Sequence, residues 1–148
     1  MNLKVSIKPL RDGVNLPVQA TSGSAGYDIR ANIDEAITLL CGERKLIPTG
    51  FAVFIHDPHY ALKLFPRSGL GHKNGVVLGN LTGIVDSDYQ GEIFVSLWNS
   101  GSEPFTIKPN DAIAQMIFER VEHPTFIIVD EFSMNTERGA GGFGSTTK

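Results

Sequence analysis

The sequence predicts an all-β sandwich or barrel. Three features carry that expectation: short apolar runs with a two-residue period, turn residues falling between those runs, and strand signals that outnumber helical ones. Leu3, Val5 and Ile7 alternate with polar neighbours, and Leu62, Leu64 and Pro66 repeat the period, so each run offers one apolar face to a core. Further strands are expected around residues 36–40, 45–55, 76–79, 92–98, 104–108 and 126–132. Asp12-Gly13, Ser22-Gly23, Cys41-Gly42, Asp57-Pro58, Asn74-Gly75, Ser100-Gly101 and Pro109-Asn110 separate them; these residue types favour reversals through side-chain-to-backbone bonds or through φ freedom. Ala112–Arg120 has some helical propensity, but Ile113, Met116, Ile117 and Phe118 suit a buried strand equally well, and a strand is the expectation.

A chain of 148 residues, 41 % hydrophobic and 20 % charged, fits one domain with one core. The composition changes at Glu137: Arg138-Gly139-Ala140-Gly141-Gly142-Phe143-Gly144-Ser145-Thr146 has too few apolar side chains to join that core. The expected organisation is therefore a β domain over residues 1–136 and a mobile, Gly-rich C-terminal tail over 137–148. A net charge of −3 disfavours binding along a nucleic acid polymer, which needs a dense Lys/Arg surface. Any nucleotide ligand is expected to be small. The single cysteine, Cys41, has no internal disulfide partner, and Met1 to Ala20 contains no signal-peptide-like apolar run. The longest apolar run, near Phe51 to Ile55, is far short of the roughly 20 residues that span a bilayer. No membrane segment and a cytoplasmic location are expected.

Three segments hold residues able to do chemistry. Gly83-Ile84-Val85-Asp86-Ser87-Asp88-Tyr89-Gln90-Gly91-Glu92 reads as a β-hairpin around a polar turn, where Asp86 or Asp88 could accept a proton from water or merely shape the turn. Pro66-Arg67-Ser68-Gly69-Leu70 follows a strand and joins an Arg, a hydroxyl and open backbone, a composition that suits phosphate oxygens and equally an ordinary turn. Ser68 is not read as a nucleophile, because Pro66 stands where a nucleophile elbow has its first Gly. The tail formally contains G-x-G-x-x-G at Gly139, Gly141 and Gly144, but four residues cannot supply the following helix of a dinucleotide-binding unit. What remains is a flexible backbone able to wrap an anion, with Arg138 for phosphate and Phe143 as an aromatic face; from composition alone a solvated terminus fits as well. His56, His59, His72 and His123 have no metal-ligand spacing, and no structural zinc is expected.

Taken in order, Ala25-Gly26-Tyr27-Asp28-Ile29-Arg30-Ala31, Pro66 to Leu70, Gly83 to Glu92, Asp111-Ala112-Ile113-Ala114-Gln115-Met116 and Arg138 to Thr146 resemble the five motifs of the trimeric dUTPase family, bacterial type. The resemblance implies a jelly-roll-like β fold, a homotrimer with active sites shared between chains, and hydrolysis of dUTP to dUMP and pyrophosphate. Such an activity limits uracil incorporation into DNA and supplies dUMP for dTMP synthesis. It implies Asp86 as the general base for water attacking the α-phosphorus, with Asp88 shaping the turn. Asn80, Gly83, Ile84, Val85 and Phe94 would receive the uracil and deoxyribose, and Tyr89 would leave no room for a 2′-hydroxyl. Arg67, Ser68, Gly69, Gln115 and Arg138 would hold the phosphates with Mg²⁺, to which Asp28 would be linked through water. Phe143, Gly144 and Ser145 would close over the nucleotide. Departures at Asn110 and Ala112, where Gly and Arg are usual, put a local ion pair in doubt. A dCTP deaminase sharing the fold and a nucleotide-responsive binding module are the competing readings; the Asp-Ser-Asp-Tyr run and the tail argue against the first, and the presence of base and phosphate ligands against the second.

Overall fold

The computed structural model describes residues 3–142. In chain order the elements are β1 (Val5–Pro9), β2 (Tyr27–Arg30), β3 (Ile37–Leu39), β4 (Arg44–Ile55), β5 (Tyr60–Pro66), α1 (Ser68–Asn74), β6 (Val76–Leu78), β7 (Gly83–Val85), β8 (Glu92–Asn99), β9 (Phe105–Ile107) and β10 (Ala112–Arg120). They form a four-stranded sheet β1-β4-β8-β6, a second four-stranded sheet β2-β10-β5-β7, and a small pair β3-β9. Every pairing is antiparallel.

Alternating side chains explain how these strands make a sandwich. On β8, Ile93, Val95 and Leu97 point inward while Phe94, Ser96 and Trp98 lie on the other face. Leu62 and Leu64 of β5, and Ile113 and Met116 of β10, meet them in one core together with Ile29, Phe51 and Val53. Burying each large apolar side chain contributes roughly 1.5–3 kcal/mol, so this layer is the main source of stability. Ala112–Arg120 is a strand, as expected, because it pairs on both sides, with β2 and β5. Gly75 and Asn110 both adopt positive φ, at 68° and 67°, so the expected reversals Asn74-Gly75 and Pro109-Asn110 occur.

Three expectations are corrected. Residues 126–132 form no strand: Phe126, Ile127 and Ile128 are 82–98 % exposed, and among the described residues no strand lies beside them to complete a ladder. Their β propensity is real, but a strand needs a partner. The segment after Pro66 is a short helix, α1, closed by Gly75, whose N–H donates to the Gly71 carbonyl. The third concerns the expected hairpin over 83–92. β7 pairs with β5 in one sheet and β8 with β4 and β6 in the other, so the two halves are not hydrogen-bonded to each other. The intervening turn crosses between sheets, and β7 lies at the edge of its sheet.

Candidate active site

The candidate residues fall into two groups. The first gathers at the Pro66 end of β5. Gln115 of β10 stands opposite Asp28 of β2 on one side and Phe65 of β5 on the other, so the ladder itself brings motifs distant in sequence to one place. The Arg67 guanidinium lies across this end: its Nε is 3.4 Å from Asp28 Oδ1, and its Nη1 donates to the Ala112 carbonyl at 3.1 Å. Ala112, despite lacking the usual arginine, thus supplies a backbone acceptor that orients Arg67. Gln115 Nε2 donates to the Pro66 carbonyl at 3.2 Å. Gly26 makes room for that side chain, since a Cβ there would stand 3.0 Å from Gln115 Oε1. Ser68 and Gly69 open α1 and are exposed, with their backbone N–H groups in the turn that lacks intrahelical acceptors. A planar cation, an amide and open N–H donors at one rim can hold phosphate oxygens.

The second group surrounds β7. Gly83, Ile84 and Val85 pair with Leu64, Lys63 and Leu62 on one edge only, which leaves the other edge with backbone donors and acceptors unused among the described residues. Gly83 is buried against Leu64, and a Cβ there would approach the Leu64 side chain to 3.0 Å. Asp86, immediately after β7, is exposed, as are Asn80 in the preceding loop and Phe94 on β8. Ile84, 67 % exposed, adds an apolar surface beside the open edge. Tyr89 folds back, its hydroxyl donating to the Glu92 carbonyl at 3.0 Å, while the Tyr89 N–H donates to the Asp86 carbonyl at 3.2 Å. Gly91 permits this fold, because a Cβ there would meet the Tyr89 hydroxyl at 2.4 Å. An open strand edge, an apolar rim and an exposed carboxylate can receive a flat heterocycle and deprotonate water.

Within one chain the two groups stay apart. The register places Val85 opposite Leu62, so Asp86 lies level with Ala61, six residues of strand from Arg67. At about 3.3 Å per residue that is roughly 20 Å. Arg138 is exposed on the chain that leaves β10, with its carbonyl accepting from the Gly141 N–H. Phe143, Gly144 and Ser145 lie outside the described residues. Among the described residues no cluster of three His, Cys, Asp or Glu groups could hold a metal ion, and no helix is long and apolar enough to cross a membrane. Sequence reasoning missed the Ala112 carbonyl and Gly26 as parts of the first group, for which the only sequence signal is their place within the first and fourth motifs.

Fold and site together define a two-sheet β protein with an anion-binding rim and a separate acidic turn beside an open strand edge. A model of the family described as dUTPase matches residues 12–147. A deoxyuridine 5'-triphosphate nucleotidohydrolase from Neisseria meningitidis serogroup A is 55 % identical over 148 residues, covering 99 % of this chain and 98 % of that one. Another from Chromobacterium violaceum is 53 % identical over 146 residues, covering 99 % and 95 %. The solved dUTPase of Staphylococcus bacteriophage 80alpha with dUPNHPP matches with a TM-score of 0.87 at 26 % identity, over 97 % of this chain and 98 % of that one. The fold is jelly-roll-like. The chain belongs to the dUTPase family.

Proposed function

We propose that this chain hydrolyses dUTP to dUMP and pyrophosphate by attack of water on the α-phosphorus. The observation that carries this reading is the near-full-length likeness to nucleotidohydrolases of deoxyuridine 5'-triphosphate, in a chain that holds an exposed carboxylate, Asp86, at the end of an open-edged strand.

Asp86 accepts a proton from the attacking water, and the turn that holds it is braced by the Tyr89 N–H on its carbonyl. Uracil lies along the free edge of β7, where the backbone of Gly83, Ile84 and Val85, with the Asn80 amide, matches its donors and acceptors. A cytosine edge would leave unpaired the groups that a bound base shields from water, which costs about 1–3 kcal/mol each. Tyr89 and Phe94 flank the sugar and base. Arg67, Ser68, Gly69, Gln115 and Arg138 hold the phosphates in line and offset charge on the leaving pyrophosphate. Phe143, Gly144 and Ser145, in the tail over residues 137–148, close the site and exclude bulk water.

The donor set suits Mg²⁺ carried by the triphosphate and not a protein cage: one carboxylate, Asp28, stands among the phosphate ligands, and it is already paired with Arg67. Bound there, Mg²⁺ would supply charge neutralisation of the phosphate oxygens, and Asp28 would hold it through water. The working unit is a homotrimer. Two features support it: Asp86 and Arg67 are too far apart within one chain for a single nucleotide, and the exposed run Phe126, Ile127, Ile128, Val129 and Phe132 calls for cover by another surface. The cytoplasm is the proposed location.

Incubating the protein with each deoxynucleoside triphosphate and Mg²⁺ tests this directly. Preferential dUMP and pyrophosphate formation is expected; equal turnover of dCTP and dTTP, or none of dUTP, would defeat it. Asp86→Asn should lower kcat by roughly 10²–10⁴-fold with nucleotide affinity retained, since it removes the base and keeps the shape. Full activity in that variant would take Asp86 out of this role.

A further inference from the structure

Glu92 opens β8, and neither the acidic turn nor the phosphate rim as described above uses its side chain. It is only 16 % exposed, unusual for a carboxylate placed one residue beyond a surface turn. The reason is a distortion in the facing strand. Between Pro48, opposite Phe94, and Ala52, opposite Glu92, β4 contains three residues against the single Ile93 of β8. This bulge rests on Gly50, with φ of 78° and a Cβ position that would come within 2.7 Å of Val14 and 2.8 Å of Asn32. The bulge turns the Gly50 N–H out of the ladder, and Glu92 Oε1 accepts it at 2.8 Å. The same oxygen accepts from Arg11 Nη2 at 2.9 Å. Thr49 Oγ1, buried, donates to the Ile93 carbonyl at 2.7 Å and closes the seam. On its other side the Glu92 backbone carbonyl is the acceptor for the Tyr89 hydroxyl.

We infer that Glu92 is a positioning residue: it ties the end of the Asp86–Tyr89 turn to the β4 bulge, and through the Tyr89 hydroxyl it fixes the ring that discriminates deoxyribose from ribose. This rests on the reading of Tyr89 as the residue packed against the sugar. The physical argument is one of reach. The turn over residues 86–91 spans two sheets, and the ladder of β7 holds only its beginning. Its end enters the β4 ladder at the Ala52–Glu92 pair, but the bulge breaks regular pairing from there until Pro48 meets Phe94, and across that gap the Glu92 carboxylate takes the displaced Gly50 N–H. Removing the carboxylate leaves the Gly50 N–H without its acceptor and frees Arg11, so the carbonyl that anchors Tyr89 can drift. Displacements of about 1 Å at a reacting or discriminating group can cost up to about 10²-fold.

The test compares kcat/KM for dUTP and for UTP in the wild-type protein, Glu92→Ala and Glu92→Gln, with thermal melting recorded alongside. Gln keeps an acceptor oxygen for both donors. Glu92→Ala should lower the dUTP:UTP ratio roughly tenfold, and Glu92→Gln should stay within about threefold of wild type. A merely structural role would lower melting temperature and total activity while leaving the ratio unchanged, and that result overturns the proposal. Should Glu92→Ala fold poorly, Glu92→Asp withdraws the carboxylate by one methylene and carries the same expectation. A wild-type protein that turns over dUTP selectively, with the ratio intact in the variants, sinks only this role for Glu92. A wild-type protein without dUTP turnover removes the functional reading and this proposal with it.

Discussion

Arg67 shows how much of this site depends on single-atom geometry. Its guanidinium faces Asp28 through Nε and the Ala112 carbonyl through Nη1 at once, which only a planar fork can do. Arg67→Lys keeps the charge and loses that orientation. KM for dUTP should rise roughly tenfold with a smaller change in kcat, because the lost contacts hold ground state and transition state alike. Melting should barely move: the pair with Asp28 is 40 % and 24 % exposed, and a partly solvated bridge contributes less than about 1 kcal/mol. A large loss of stability with unchanged kinetics would show that Arg67 serves the fold instead. At this scale the sequence disclosed residue types and little of their arrangement. Arg67 and Gln115 could be singled out by their neighbours in the chain, but their meeting is set by the pairing of β10 with β5 and β2. The tie from Glu92 to Gly50 joins residues 42 positions apart through a bulge, and no local pattern announces it.

Among the elements, legibility followed burial on one face. β8 alternates strictly, because its inward residues must be apolar and packing enforces the period, whereas β4, β5 and β10 contain adjacent buried residues and were marked by their apolar content between turns. α1 was not, since Gly69 and Gly71 lower its propensity and none of its residues is buried. The stretch 126–132 has the composition of a strand but no partner among the described residues, and composition cannot report a missing partner. The turn after β7 read as a hairpin because sequence distance says nothing about which sheet each half joins. The C-terminal segment yields a prediction at the same scale. The sheets end at Arg120, and beyond it Val121 N–H still donates to the His59 carbonyl and His123 contacts the Pro58 carbonyl. Residues 124–140 are exposed throughout. Deleting residues 137–148 should therefore leave the melting temperature within about 2 °C while lowering kcat/KM roughly a hundredfold through loss of Arg138 and the closing segment. A drop of ten degrees or more, measured by circular dichroism, would mean that this segment belongs to the folded body.

For the whole molecule, the separation of the two groups of residues is the governing fact. One sheet carries the acidic turn at one end of β5 and the phosphate rim at the other, and on the proposed reading each is half of a site. In the proposed trimer the acidic turn of one chain would stand against the phosphate rim of the next, and the exposed apolar run after His123 would find cover in the same arrangement. Assembly and catalysis then share one cause.

Mixing two inactive variants tests that claim most directly. Asp86→Asn and Arg67→Ala chains, denatured together in equal amounts and refolded, should recover about one quarter of wild-type dUTP hydrolysis, because sites at Asn-free and Ala-free junctions form at random. Activity in the mixture no higher than in either variant alone, with mixed assemblies confirmed by mass, would place Asp86 and Arg67 in the same chain's site and contradict the account.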